Sequence, residues 1–361
     1  MPGLSALRST LLSVSGLLAC GNACPVVPAT PMHYELYVSN EKSGDVTVID
    51  GDTLRATATI PVGKRPRGIH ASPDGRTVYV ALSGTPIEGP PPLDAKGNPI
   101  LRKRDDDDDA PADKAADGIA VLDVAKRKLT SKIHAGSDPE EFALSKDGTQ
   151  LYVSNEDVRT ASVINVRTQK VEHIVPVGQE PEGAATAPDG KRFYITCEAG
   201  GDIYAIDSAS YAVVGHFKVA VRPRSMAFSP NGTLAFIPSE STGELNVVDT
   251  DELKVLKVIA LPAGSRPMSV KMAADGQRLY VSDGRAGTIS IIDGHSYAVL
   301  QSVKVGQRPW GIVLSPDGKY LFSANGPSND VSVVDLTTGR EMDRIKAGER
   351  PWGITIVVRR G

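Results

Sequence analysis

The chain has 361 residues, 40% of them apolar, and its 40 basic and 43 acidic side chains leave a net charge of −3. This near balance gives no electrostatic reason to expect binding to nucleic acid or to an anionic membrane. The 35 glycines and 26 prolines are too dense for helical repeats, so the composition favours a single large β domain.

The first 23 residues have the character of a secretion signal. Arg8 is the first charge, residues 11–19 form a short apolar run, and Leu17-Leu18-Ala19-Cys20 resembles a bacterial lipobox. The run is too short to span a bilayer and suits a secretory h-region. We expect residues 1–23 to be a leader, with Cys20 lipidated or the leader simply cleaved nearby, and residues 24–33 to be a tether. The protein would then be exported, periplasmic or envelope-anchored, and would contact a membrane only through that lipid.

A motif of the form Gly-x-x-Pro recurs from residue 34 onward, with small variations, as in Gly306-Gln307-Arg308-Pro309. Its seven prolines are Pro66, Pro139, Pro181, Pro223, Pro267, Pro309 and Pro351. Their successive spacings are 73, 42, 42, 44, 42 and 42 residues, so the first interval exceeds the usual one by 73 − 42 = 31. A period in the low forties indicates seven copies of one unit, either propeller blades or helical pairs, with one insertion.

Each unit has the pattern of four short strands. The first follows the proline and ends in a turn such as Asp317-Gly318, where glycine accepts the positive φ of a tight hairpin. The second carries a central aromatic residue, and the third is β-branched and ends in Asp or Asn. The central aromatics are Tyr37, Tyr79, Tyr152, Tyr194, Phe236, Tyr280 and Phe322. This pattern predicts an all-β, seven-bladed β-propeller over residues 34–361.

Strand order also predicts how the ring closes. The chain ends on a first strand, residues 353–358, and begins after the leader on a second strand, residues 36–40. One blade should therefore be completed by both termini, so that no open edge remains. The extra residues, at about 84–116, fall between a second and a third strand, on the same face as the Gly-x-x-Pro loops. Their basic and acidic blocks cannot form a core, so we expect a mobile loop or a lid over that face.

The Gly-x-x-Pro face carries two rings of candidate binding residues. The ring after each proline comprises Arg67, Glu140, Glu182, Arg224, Met268, Trp310 and Trp352. Its charged and aromatic parts come from consecutive blades, which suits a small anionic or amphipathic ligand. The ring before each proline comprises Arg65, Asp138, Glu180, Arg222, Arg266, Arg308 and Arg350. For this second ring, ion pairs between blades are the favoured interpretation, although its arginines also suit carboxylate or phosphate groups.

Recognisable catalytic motifs are sparse. The acids that follow the second strands, Glu41, Glu156, Glu198 and Glu240, could ligate calcium, but solvated acids paired with nearby arginines are the better interpretation. No histidine pair has metal-ligand spacing, and no nucleophile elbow, phosphate loop or haem-attachment motif is present. The sequence therefore assigns no catalytic residue, no metal and no cofactor. His70 is notable because it lies in a first strand, at the position that Lys271 and Thr355 occupy in theirs.

The phrases Leu36-Tyr37-Val38-Ser39-Asn40 and Ser315-Pro316-Asp317-Gly318 resemble those of the YVTN-family β-propeller repeat proteins. That resemblance implies an exported seven-bladed propeller, similar to surface-layer proteins and to propellers associated with quinoprotein oxidation systems. It favours a non-enzymatic binding or scaffold protein of the bacterial envelope. The Gly-x-x-Pro face would meet a protein partner or a small ligand, and nucleic acid is not expected there. The alternative is a lactonase-type hydrolase, in which Glu140, Glu182, Arg67 and Arg224 bind substrate and activate water.

Overall fold

A computed structural model describes residues 33–87 and 112–359. The expected leader (1–23) with its Cys20 lipidation site, almost all of the tether and the central part of the insertion lie outside these ranges. The described ranges form seven antiparallel sheets of four strands each, so the seven-bladed β-propeller is confirmed. No helix in these ranges is long and apolar enough to cross a membrane.

The strands fall into blades in chain order. Blade 1 contains β1 (Tyr34–Asn40), β2 (Asp45–Asp50), β3 (Arg55–Pro61) and the last strand, β28 (Pro351–Val358). Blade 2 contains β4 (Pro66–Ala71), β5 (Thr77–Leu82), β6 (Gly118–Asp123) and β7 (Lys128–Ile133). Blade 3 contains β8 (Pro139–Leu144), β9 (Gln150–Asn155), β10 (Thr160–Asn165) and β11 (Lys170–Pro176), with a short 3-10 helix at Glu156–Val158.

The remaining blades repeat this order. Blade 4 contains β12 (Pro181–Thr186), β13 (Arg192–Cys197), β14 (Asp202–Asp207) and β15 (Val213–Lys218). Blade 5 contains β16 (Ala227–Phe228), β17 (Leu234–Ser239), β18 (Glu244–Asp249) and β19 (Lys254–Ala260). Blade 6 contains β20 (Pro267–Met272), β21 (Arg278–Asp283), β22 (Thr288–Asp293) and β23 (Val299–Lys304). Blade 7 contains β24 (Pro309–Leu314), β25 (Tyr320–Asn325), β26 (Asp330–Asp335) and β27 (Arg340–Lys346).

Blade 1 closes the ring as the strand order predicts. β28 pairs antiparallel with β1, with Tyr37 opposite Thr355, and it also contacts β4 of blade 2 and β24 of blade 7. Closure thus pairs the inner edge of β1, which would otherwise be an exposed strand edge. The predicted insertion also lies where expected, between β5 and β6.

The apolar core lies between the blades. One cluster joins Tyr37 and Val48 of blade 1 to Val78 and Leu122 of blade 2, and equivalent clusters recur around the ring. The central aromatic of each second strand belongs to these clusters, and all seven are at most 6% exposed. The turns between strands lie on the two faces of the propeller. The innermost strand of each blade lines the central axis, so side chains of these strands can meet there.

Candidate functional site at the axial mouth

Every innermost strand begins with unusual backbone geometry. All seven residues that precede the prolines have φ between 43° and 64°, a left-handed conformation that non-glycine residues seldom adopt. In six of the seven blades a register shift follows within three residues of the proline. Bulges of this kind re-aim side chains and are common beside active sites. In blade 5 the proline forms only an isolated bridge, between Pro223 and Ser239.

The residues after the prolines meet in one layer, which we call the axial ring. Its members in blade order are Trp352, Arg67, Glu140, Glu182, Arg224, Met268 and Trp310. Arg67 of blade 2 contacts Glu140 of blade 3 and lies 3.5 Å from Glu182 of blade 4. Its guanidinium also lies 4.8 Å from the ring centroid of Trp352 and 5.9 Å from that of Trp310. Arg67 therefore reaches four other blades, and the ring packs across the axis.

The ring is held together by serines that are the penultimate residues of the second strands. Ser154 Oγ accepts from the amide of Glu141 at 3.2 Å and donates to the carbonyl of Glu182 in the next blade at 2.7 Å. Ser282 makes the equivalent link to the carbonyl of Trp310 at 2.7 Å. The sequence analysis used the equivalent serine of blade 1, Ser39, only as part of a repeat motif. The role of these serines in joining blades depends on contacts between copies, which one copy does not show.

The aromatic half of the ring is a small apolar cluster. Trp310 and Trp352 stack with centroids 5.3 Å apart, and Met268 packs beside them. Arg224 and Arg308 lie 5.6 and 4.9 Å from the Trp310 centroid, which is within the range of cation–π contacts.

The charged half is a network of buried ion pairs. Arg224 contacts Glu182 at 2.6 Å, Glu240 at 2.8 Å and also Glu198. Burial raises the pKa of Glu182, but Arg224 and Arg67 outweigh burial and lower this pKa to about 2. Glu182 is therefore a permanent anion that structures the site, and it is a poor base.

The residues before the prolines were predicted to form ion pairs between blades, and this is confirmed for Arg65 and Arg222. Arg65 pairs with Glu41 and Asp138, each at 3.3 Å, and Arg222 pairs with Glu198 at 2.9 Å. The acids that follow the second strands were expected to be solvated and paired with nearby arginines. The pairing is confirmed for Glu41 and Glu198. The expected solvation is wrong for these two acids, which are at most 5% exposed, because their arginine partners are themselves largely buried.

Glu156 differs from the other acids in this layer. It begins the 3-10 helix, remains partly exposed, and has a carboxylate oxygen within 4.8 Å of oxygens of Asp138 and Glu140. Burial, followed by the charges of Glu182 and Asp138, raises the pKa of Glu156 to about 7. Such a carboxylate can accept a proton near neutral pH. Sequence analysis placed Glu156 among the loop acids, but its charged neighbours come from other strands and blades.

These three carboxylates are also the group best arranged to hold a hard cation among the residues that the structure describes. Arg65 lies 3.3 Å from Asp138 and 3.7 Å from Glu140, and Arg67 contacts Glu140 as well. The charge of two of the three carboxylates is thus balanced by arginine without an ion.

Comparison with known proteins places this geometry in a family. A family model described as "Lactonase, 7-bladed beta-propeller" matches residues 30–182 and 183–346, which is most of the chain. The chain therefore belongs to the seven-bladed lactonase family. No curated protein matches it with significant similarity.

Solved structures agree in fold. The periplasmic gluconolactonase of Pseudomonas aeruginosa is 19% identical, with a TM-score of 0.67, over 90% of this chain and 99% of that one. A putative 6-phosphogluconolactonase from Bacteroides fragilis is 17% identical, with a TM-score of 0.70, over 91% and 99%. Hydrazine synthase from Kuenenia stuttgartiensis is 19% identical, with a TM-score of 0.66, over 80% and 89%. At these identities the likeness concerns the fold.

The family match corrects the favoured functional interpretation. A non-enzymatic scaffold was expected because no local catalytic motif is present, and membership of a lactonase family overturns that expectation in favour of the stated alternative. The physical reason is that a propeller assembles its site from residues about one repeat apart, so a local motif is not required. The YVTN label stays a prediction, as does ligand binding by the axial ring.

Proposed function

We propose that this protein is a lactone hydrolase whose reaction takes place at the axial mouth, with Glu156 as the general base. The observation that carries the proposal is the position of Glu156, a partly exposed carboxylate at the rim of a buried arginine–carboxylate network. Membership of the lactonase family supports the reaction class. The pKa of about 7 suits a base that works near neutral pH.

The chemistry assigns separate tasks to the base and to the cations. Glu156 removes a proton from a water molecule as its oxygen attacks the lactone carbonyl. The negative charge that develops on the carbonyl oxygen is stabilised by the guanidinium of Arg65, whose side chain is 13% exposed. The bond between the acyl carbon and the ring oxygen then breaks, the ring oxygen takes up the proton that Glu156 removed from the water, and a hydroxy acid leaves.

The substrate class follows from the two halves of the mouth. Arginines paired with acids offer hydrogen bonds to a polyhydroxylated ring, and the small exposed parts of Trp310 and Trp352 add apolar surface beside them. Two similar structures are those of a gluconolactonase and of a putative 6-phosphogluconolactonase. We therefore include aldonolactones in the proposal. Because the arginines are already paired, a neutral aldonolactone should be preferred over a phosphorylated one.

The test is hydrolysis of glucono-1,5-lactone in a pH-stat, with the spontaneous rate subtracted. Glu156→Gln should lower kcat about a hundredfold or more, the usual contribution of a general base. In the wild type, kcat/KM should rise with pH through about 7, because the base must be deprotonated, and the variant should lose this dependence. Glu349→Gln is the matched control, since Glu349 is exposed and pairs with Lys42 at 2.8 Å.

Two results would contradict the proposal. Full activity in Glu156→Gln would remove the base from its assigned role. Loss of activity with a chelator, and its recovery with a divalent cation, would make the carboxylates of Asp138, Glu140 and Glu156 metal ligands instead.

Location outside the cytoplasm is also part of the proposal. The leader at residues 1–23 supports it, and one similar structure is titled a periplasmic protein. Lipid attachment at Cys20 is the more specific proposal. Palmitate labelling that disappears in Cys20→Ser would support the anchor, and an unlabelled wild type would reject it.

A further inference from the structure

A second set of polar residues lies deeper in the axial channel. In all seven blades the fourth residue after the proline pairs with the central aromatic of the second strand, so these residues share one level of the channel. We call this level the lower ring. Its members in blade order are Thr355, His70, Ala143, Ala185, Ala227, Lys271 and Val313. Four of the seven are small and apolar, and two carry ionisable groups.

His70 belongs to a pair at one side of the channel. Its Nε2 donates to Oε1 of Glu141 at 2.9 Å, and the amide of Phe142 donates to the same oxygen at 2.9 Å. Gly68 makes room for this carboxylate, since a Cβ there would lie 2.3 Å from Oε1. The other oxygen, Oε2, accepts no hydrogen bond from a residue that the structure describes. The pair thus keeps one partly exposed carboxylate oxygen free to accept a hydrogen bond.

Lys271 occupies the other side. It belongs to blade 6, which in a ring of seven stands three blades from both blade 2 and blade 3, where His70 and Glu141 lie. No described side chain or backbone group forms a hydrogen bond or ion pair with the Lys271 ammonium. Burial lowers the pKa of Lys271, and the charge of Glu141 opposes this shift. A cation without a partner and a carboxylate held by His70 therefore belong to the same level of a channel whose other members are mostly apolar.

The two rings are separate sites. The axial ring is closed by its own contacts across the axis: six of its members are at most 8% exposed, and the side chain of Arg224 is also 8% exposed. Below it, solvent reaches the His70 and Glu141 side chains, which are 34% and 21% exposed. A ligand of the lower ring would therefore enter from the face of the Asp-Gly turns, opposite the mouth.

We propose that the lower ring binds a small aliphatic hydroxycarboxylate, with its carboxylate on Lys271 and its hydroxyl on Glu141. The ammonium donates a charge-assisted hydrogen bond to the anion, and Oε2 of Glu141 accepts a hydrogen bond from the hydroxyl group. Ala143, Ala185 and Ala227 leave space for a short hydrocarbon chain. This site does not depend on the proposed hydrolase activity, since the axial ring lies between them.

Three matched probes test this chemistry by isothermal titration calorimetry on the full chain. We expect 4-hydroxybutyrate to bind, butyrate to bind more weakly because it lacks the hydroxyl, and 1,4-butanediol not to bind because it lacks the charge. Lys271→Met should weaken 4-hydroxybutyrate by about tenfold or more, the usual effect of losing a charged hydrogen-bond partner. Lys254→Met is the control, since Lys254 is exposed on β19.

Two further variants test the two ends of the ligand separately. Glu141→Gln should make 4-hydroxybutyrate and butyrate bind alike, because the acceptor for the hydroxyl is lost. Lys271→Arg should retain binding because it keeps the positive charge, and it replaces Lys271→Met in the test if thermal melting shows that Lys271→Met folds poorly. Equal binding of 4-hydroxybutyrate to the wild type and Lys271→Met would overturn the proposal. So would a wild type that binds none of the probes. Lactone hydrolysis, measured in parallel, should be unchanged in these variants, so failure of one proposal is distinguishable from failure of the other.

Discussion

The two halves of the axial ring bury their side chains by different means. In blades 2 to 5 the ring consists of Arg67, Glu140, Glu182 and Arg224, each of which touches a residue of opposite charge. In blades 6, 7 and 1 it consists of Met268, Trp310 and Trp352, which bury mainly apolar surface. The comparison shows that one repeat position can be buried either by ion pairing or by apolar packing, provided that neighbouring blades carry residues of the same kind. The charged half depends on complete pairing, whereas the aromatic half depends on packing.

Removing one cation from the charged half should have the largest effect. Arg224→Met would leave Glu182, Glu198 and Glu240 without their shared partner, and breaking a buried ion pair in this way costs about 3–5 kcal/mol. Urea unfolding should show this loss. The control is Arg344→Met, whose exposed pair with Glu341 should be worth less than about 1 kcal/mol. Equal losses in the two variants would mean that the buried network does not stabilise the mouth.

The aromatic half should respond to truncation in a different manner. Trp310→Ala removes a stacked indole that is 8% exposed, and we expect a loss of about 3 kcal/mol, the low end for such truncations. Because the loss is mainly one of packing, it should change little between low and high salt. A strong salt dependence in urea unfolding would indicate that the contacts with Arg67, Arg224 and Arg308 dominate instead.

Asp283 differs from the carboxylates of the charged half because it is buried without an arginine or lysine partner in the part of the chain that the structure describes. It is a fully buried carboxylate in blade 6, and it accepts hydrogen bonds from Ser290 at 2.6 Å and Thr288 at 3.0 Å. No basic side chain of the described residues pairs with it. Burial raises its pKa to about 6. Blade 1 carries Asn40 at the equivalent position, where the amide donates to Asp45 and Thr47.

Asp283→Asn should therefore stabilise the protein at neutral pH. A folded-state pKa above the unfolded value means that the folded protein holds a proton that the unfolded chain has released. Stability is thus lost as pH rises from about 4 to about 6, and the asparagine avoids this loss, which is on the order of 1–3 kcal/mol. Thermal unfolding at pH 7 and pH 4 measures the effect, with the gain expected only at pH 7. A variant destabilised at both values would show that the carboxylate itself is needed.

The sequence predicted much of this arrangement because the repeat fixes equivalent positions. The spacing of the prolines placed Arg67, Trp310 and the rest of the axial ring in one layer, and the strand order predicted closure by β1 and β28. Partners across blades were not predictable. That Arg67 reaches Glu182 and both tryptophans depends on side-chain directions set by the bulges. The charged surroundings of Glu156 and the lack of a described partner for Lys271 also depend on packing between blades, so they were not predictable from one repeat.

The serines that join the blades allow the smallest change to be compared, because the same hydrogen bond from a serine hydroxyl to a backbone carbonyl occurs in both halves of the axial ring. Ser154 donates to Glu182 in the charged half and Ser282 donates to Trp310 in the aromatic half, each at 2.7 Å. Ser154→Ala and Ser282→Ala should each cost about 1 kcal/mol in urea unfolding, the usual net value of one hydrogen bond. Their effects on lactone hydrolysis should differ. Only the loss of Ser154 loosens the backbone of Glu182, whose charge helps to raise the pKa of Glu156. We therefore expect the pH dependence of kcat/KM to shift to lower pH in Ser154→Ala and to stay unchanged in Ser282→Ala, and a shift of equal size in both would show that the two halves of the mouth are coupled.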